Sequence, residues 1–130
     1  MFHILVVEDD SKLRHLFCTV LRKHGYTCTE AENGQAAIDV LDNTYIDLII
    51  SDIMMPVMDG YSFVQEIRNA NYNQPVLMIT AKDTFDDMEK GFRAETDDYM
   101  VKPININEMV LRVGALLKRA QINHERRVIV

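Results

Sequence analysis

Two hydrophobic periods alternate along this chain. Continuous apolar runs at 3–7, 48–50, 76–79 and 99–101 read as short strands buried on both faces, and the alternating stretch 27–31 reads as another. Between them the period changes to that of a helix. Residues 11–24 place Leu13, Leu16, Phe17, Val20 and Leu21 on one stripe, with Gly25 following as a stop signal. A short amphipathic helix over 36–41 is opened by Asn33-Gly34, and a helix over 61–67 follows a turn framed by Pro56 and Gly60. Residues 85–94 read as a helix of weaker periodicity, and 107–119 as one with Met109, Val110, Val113, Leu116 and Leu117 inward. Five βα units in succession predict an α/β fold, a doubly wound parallel sheet with helices on both faces.

The segment 121–130 breaks this pattern. It is polar and charged as far as Arg127 and then closes on Val128-Ile129-Val130, which reads as a linker leading into the first strand of a further domain. The expected organisation is one domain over 1–120 and a tail over 121–130.

Polar residues with chemistry sit where the apolar runs stop. Glu8-Asp9-Asp10 follows the first, Ser51-Asp52 the third, Thr80 ends the fourth and Lys102-Pro103 follows the last. Strand carboxyl ends share one edge of a parallel sheet, and ligands bind in the crevice outside it. Glu8, Asp9 and Asp52 therefore converge, with Lys102 opposite. At about 5 Å and an effective dielectric near 20, each like-charge pair costs roughly 3 kcal/mol. A magnesium ion removes that cost, because it accepts carboxylate oxygens while keeping waters and a phosphate oxygen. Asp52 could then act as a nucleophile toward phosphorus, with Thr80 donating to a phosphate oxygen. Acids at strand ends also cap helices, and Asp10 or Ser11 is read that way. Lys102 before Pro103 invites a cis bond, which would aim the ammonium into the acidic pocket.

At 130 residues the chain can bury one core unaided. Its net charge of −6 makes nucleic acid a poor partner for it taken alone. No apolar stretch approaches the ~20 residues needed to cross a bilayer, and the 4–7 run is too short for a signal h-region. A cytoplasmic location is the simplest expectation. Cys28 alternates with Thr27 and Thr29 as a small core residue, and Cys18 falls in a helix. Neither a disulfide nor a zinc site is expected of them.

Four motifs in order then become specific: Ile4-Leu5-Val6-Val7-Glu8-Asp9-Asp10, Asp52-Ile53-Met54-Met55-Pro56-Val57-Met58-Asp59-Gly60, Ile79-Thr80-Ala81, and Asp97-Asp98-Tyr99-Met100-Val101-Lys102-Pro103. Over residues 1 to about 120 the chain resembles the receiver domain of bacterial two-component response regulators. The final helix, with Glu108, Arg112 and Leu116-Leu117-Lys118-Arg119, resembles the OmpR/PhoB type in particular. The resemblance implies a flavodoxin-like fold of strand order 2-1-3-4-5 and a phosphorylation-operated switch rather than a turnover enzyme. It implies Asp52 as phosphoacceptor, and Mg²⁺ held by Asp9, Asp52 and the Met54 main-chain carbonyl, with Glu8 acting through water. Thr80 and Lys102 would grip the phosphoryl group, and Tyr99 would be the aromatic switch. A sensor histidine kinase would be the donor. On phosphorylation, a homodimer would form through the fourth helix, fifth strand and fifth helix, with Asp98, Glu108 and Arg112 on that face. DNA would be bound only through a C-terminal winged-helix domain, to control transcription.

Two departures weaken the dimer face. Glu95-Thr96 stand where the family has Gly-Ala, and Met88 stands where many members have a basic residue. Met54 and Lys82 flank the path of attacking water and bear on phosphoryl lifetime. A stand-alone receiver acting by protein contacts is an alternative. A Mg²⁺-dependent phosphatase would need a second acid two residues after Asp52, where Met54 stands. A flavodoxin-like cofactor binder would need a phosphate loop where Glu8-Asp9-Asp10 would repel one.

Overall fold

The computed structural model describes residues 1–81 and 96–129. In chain order these form β1 (His3–Val7), α1 (Ser11–Lys23), β2 (Thr27–Ala31), α2 (Gly34–Asn43), β3 (Leu48–Asp52), α3 (Gly60–Asn69), β4 (Val76–Thr80), β5 (Asp98–Val101) and α4 (Ile106–Ile129). The strands make a single five-stranded sheet of order β2-β1-β3-β4-β5, parallel throughout. The expected strand order and layering are both observed.

Alternation along the strands sorts the core onto two sides. Ile4 and Val6 of β1 face α1 and α4, meeting Phe17, Leu21, Met109 and Val113. Leu5 and Val7 face α2 and α3, meeting Ala37, Leu41, Phe63 and Ile67. Burying each large aliphatic side chain stabilises the fold by about 1.5–3 kcal/mol, so a slip of one residue in β1 would exchange both cores at once. The register Val7↔Ser51 and Asp52↔Ile79 keeps the strand ends level, which brings the polar residues after them to one edge.

The helix starts are capped as their residue types direct. Asp10 precedes α1 and accepts from the Lys12 and Leu13 main-chain N–H groups, so it, rather than Ser11, is the cap. Asn33 and Asp59 do the same for α2 and α3. Gly25, at φ +91°, turns the chain out of α1 through a conformation other residues rarely adopt.

Several expectations are corrected. Leu16 is 45% exposed, and Cys18 takes its place inside, so the buried stripe of α1 runs through Phe17, Cys18 and Leu21. Cys28 lies in the core as expected, and both cysteines are buried free thiols. Val128 and Ile129, expected to begin a strand after a linker, are instead helical, because α4 continues to Ile129. Nothing between Ala115 and Val130 is a glycine or proline, and extending an existing helix costs far less than starting a new element. The helix expected over 85–94 lies outside the described residues, as do Lys82 and Met88.

Candidate functional site

The residues expected to form the pocket, Glu8, Asp9, Asp52, Thr80 and Lys102, sit at or just beyond a strand's carboxyl end. Glu8 follows β1, and its main-chain N–H donates to the Ala31 carbonyl at 3.1 Å, prolonging the ladder by one residue. Asp52 is the last residue of β3, buried to 4% exposure. Lys102 directly follows β5 and is joined to Pro103 by a cis bond, and its main-chain N–H donates to the Thr80 carbonyl at 2.6 Å. From there the Lys102 ammonium donates to Asp52 Oδ2 at 2.9 Å and to Glu8 Oε1 at 3.0 Å. The second oxygen of each acid faces backbone. Asp52 Oδ1 accepts from the Met54 N–H at 3.3 Å and Glu8 Oε2 from the Asp10 N–H at 3.3 Å.

Carboxylate oxygens from Glu8, Asp9 and Asp52 lie within 4.8 Å of one another. Burial pushes the Glu8 carboxyl up to about 7, Lys102 opposes that rise and Asp52 adds to it. Burial pulls the Lys102 ammonium downward, but its bonds to Asp52 and Glu8 outweigh that and hold it above the usual lysine range. The donor set is all oxygen, and Asp9 is exposed at the mouth while its two companions are buried. Hard carboxylates on one side with solvent on the other fit magnesium, which keeps several waters when bound.

A family model described as the response regulator receiver domain matches residues 4–114. The chain belongs to the response regulator receiver family. The heme response regulator HssR of Staphylococcus epidermidis is 38% identical over 123 residues, covering 95% of this chain and 54% of that protein. The transcriptional regulatory protein ResD of Bacillus subtilis is 44% identical over 117 residues, covering 90% and 48%. The chain thus spans about half the length of the curated relatives it matches, and those relatives are of the OmpR/PhoB type. Among solved structures, the response regulator TrrA of Thermotoga maritima in complex with Mg²⁺-BeF superposes with a TM-score of 0.80 at 33% identity, covering 89% of this chain and 99% of that one. Receivers are signalling switches, and receiver domains bind Mg²⁺ at an acidic pocket like the one described above.

The receiver's remaining predicted residues fall into two groups. Thr80 is fully buried at the end of β4, the strand next to Asp52. Tyr99 lies opposite Met78 on β5, and its ring packs in the α2–α3 core. The other group is a charged set on β5 and α4. Arg112 Nη1 donates to both Asp98 oxygens at 2.9 Å, and Arg112 Nη2 donates to Glu108 Oε1 at 2.9 Å. Among the described residues no helix is long and apolar enough to cross a membrane.

Sequence reasoning missed three neighbours of the site. The Tyr99 hydroxyl meets that of Tyr61 at 2.6 Å, joining β5 to the first turn of α3. Gly60 packs so tightly that a Cβ there would lie 2.4 Å from the Asp52 carbonyl oxygen. Arg14 donates to the Glu8 carbonyl and to Glu30. Arg14 did leave a trace, because it lies three residues before buried Phe17 on the same stripe of α1.

Proposed function

We propose that this receiver accepts a phosphoryl group on Asp52 from a phosphohistidine of a sensor histidine kinase. The supporting observation is the buried Asp52 carboxylate with the Lys102 ammonium 2.9 Å from one oxygen, inside a three-carboxylate pocket. An Asp52 carboxylate oxygen attacks phosphorus, the P–N bond breaks, and the departing imidazole keeps the electron pair and takes a proton. Lys102, which bridges Asp52 and Glu8, moves its charge onto the incoming phosphoryl oxygens. Asp9, Asp52 and the Met54 main-chain carbonyl would hold Mg²⁺, with Glu8 acting through water, and the bound ion would supply positive charge to offset that on the transferring group. TrrA in complex with Mg²⁺-BeF, at 33% identity, supports this assignment.

The phosphoryl group then biases an existing equilibrium. Thr80 donates to it in one state only, which is the differential contact a population shift requires, and Tyr99 follows Thr80 inward. The face bearing Asp98, Glu108 and Arg112 then pairs two copies. In a cytoplasmic protein of the relatives' length, a C-terminal DNA-binding domain would read two half-sites and control transcription.

Incubation with acetyl phosphate and Mg²⁺, followed by intact-mass measurement, tests the reading. One phosphoryl addition is expected, abolished by chelator and by Asp52→Asn. Equal labelling of the Asp52→Asn protein would refute it.

A further inference from the structure

Arg14 is the one buried-stripe position of α1 occupied by a charge, and its side chain is only 17% exposed. Its Nε donates to Glu30 Oε1 on β2 at 3.0 Å, and its Nη1 donates to the main-chain carbonyl of Glu8 at 2.8 Å. That carbonyl belongs to the peptide joining Glu8 to Asp9. Asp9 itself is exposed, so packing does not fix the direction of its side chain. What fixes it is the backbone that carries it. The Glu8 N–H is tied to the Ala31 carbonyl, and the Asp10 carbonyl accepts from the Arg14 N–H at 2.9 Å. Two peptides between lie outside the regular ladders: the Arg14 guanidinium holds the Glu8–Asp9 peptide by its carbonyl, and the Asp10 N–H of the next donates to Glu8 Oε2.

We propose that Arg14 is a positioning residue for the divalent cation: clamped by Glu30, it locks the Glu8–Asp9 peptide so that Asp9 presents its carboxylate to the pocket. This rests on the reading of Asp9 as a Mg²⁺ ligand. The residue type suits the task. A guanidinium donates in two fixed directions at once, whereas a lysine ammonium at the end of a flexible stem cannot span the same two acceptors in one geometry. Residues that orient metal ligands without touching the metal typically cost 10–100-fold in affinity when removed.

The test is Mg²⁺ titration of the full chain by calorimetry, with wild type, Arg14→Met, Arg14→Lys and Glu30→Gln compared at one pH. Arg14→Met is expected to weaken Mg²⁺ binding by about ten-fold, Arg14→Lys to recover part of that loss, and Glu30→Gln to show a smaller loss of the same sign. At saturating Mg²⁺ the rate of labelling by acetyl phosphate returns to near the wild-type value, because the defect lies in holding the cation. A folded Arg14→Met protein that binds Mg²⁺ within two-fold of wild type overturns the clamp. If that variant does not fold, an unchanged affinity in Glu30→Gln overturns it instead. Wild-type protein that takes up no Mg²⁺ brings down the functional reading and the clamp with it.

Discussion

Replacing Lys102 by methionine keeps the stem of the side chain and removes the charge between two buried acids. In wild type the ammonium is shared, 2.9 Å from Asp52 and 3.0 Å from Glu8, with the lysine side chain 26% exposed. Its loss leaves the two carboxylates facing one another. Glu8, already pushed up to about 7 by burial with Lys102 opposing, must then rise further and hold its proton at higher pH. The cost therefore depends on pH. At pH 6 Glu8 is protonated in both proteins, and the variant loses mainly the charge-assisted bond to Asp52, about 2 kcal/mol. Between pH 7 and 8 wild-type Glu8 ionises while the variant's does not, which adds about 1.4 kcal/mol per pH unit. In chelator, urea or thermal denaturation followed by circular dichroism should show losses of about 2 kcal/mol at pH 6 and about 3.5 kcal/mol at pH 8, the larger corresponding to a Tm drop of roughly 14 °C. Mg²⁺ should restore part of the difference by supplying the missing positive charge. A loss of equal size at both pH values would refute the shared-ammonium account, and so would no loss at all.

Gly60→Ala should destabilise the receiver by about 3 kcal/mol or more, since the new methyl meets the backbone of Asp52 and Ile53, which cannot swing aside as the nearby Met78 side chain can; a urea midpoint unchanged from wild type would contradict the packing. Val57→Asn should stabilise by up to about 1 kcal/mol, because Val57 sits at φ +73° in an exposed turn where a β-branched residue is strained and asparagine is tolerated; calorimetric melting temperatures decide it. Glu8 has its folded pKa raised above the ordinary 4.5, so its contribution to metal-free stability is greatest at low pH and falls as pH rises toward about 7. Mg²⁺ affinity should rise over the same window as the carboxylate ionises, and a flat affinity from pH 6 to 8 would exclude Glu8 from the cation site.

The parts of this architecture that were legible are those set by local period. Continuous apolar runs marked β1, β3 and β4 because strands buried on both faces tolerate little polarity, and Asp10, Asn33 and Asp59 cap helices as short polar side chains do. The pocket was legible because strand ends share an edge, so Glu8, Asp9, Asp52 and Lys102 could be brought together without knowing any distance. Lateral contact was not legible. Whether Leu16 or Cys18 turns inward depends on a rotation of about 100° per residue, and the sequence offered an apolar residue in both places. Arg14, Gly60 and Tyr61 matter through what lies across from them, just after β1 and in β3 and β5, and only Arg14, on the stripe of Phe17, shows a trace of that in its own neighbourhood. The β-branched run at Val128-Ile129 suggested a strand, yet it continues a helix already formed.

The length of α4 has a mechanical consequence. Leu117 is the last fully buried side chain described on that helix, and the helical backbone runs on to Ile129. At 1.5 Å per residue the stretch from Leu117 to Ile129 is a rod about 18 Å long, so a tilt of about 10° at its base carries its tip about 3 Å. A rearrangement too small to disturb the packing of Met109 and Val113 would thus be magnified at the far end. The base of the helix lies on the same core as the strands that carry the acids.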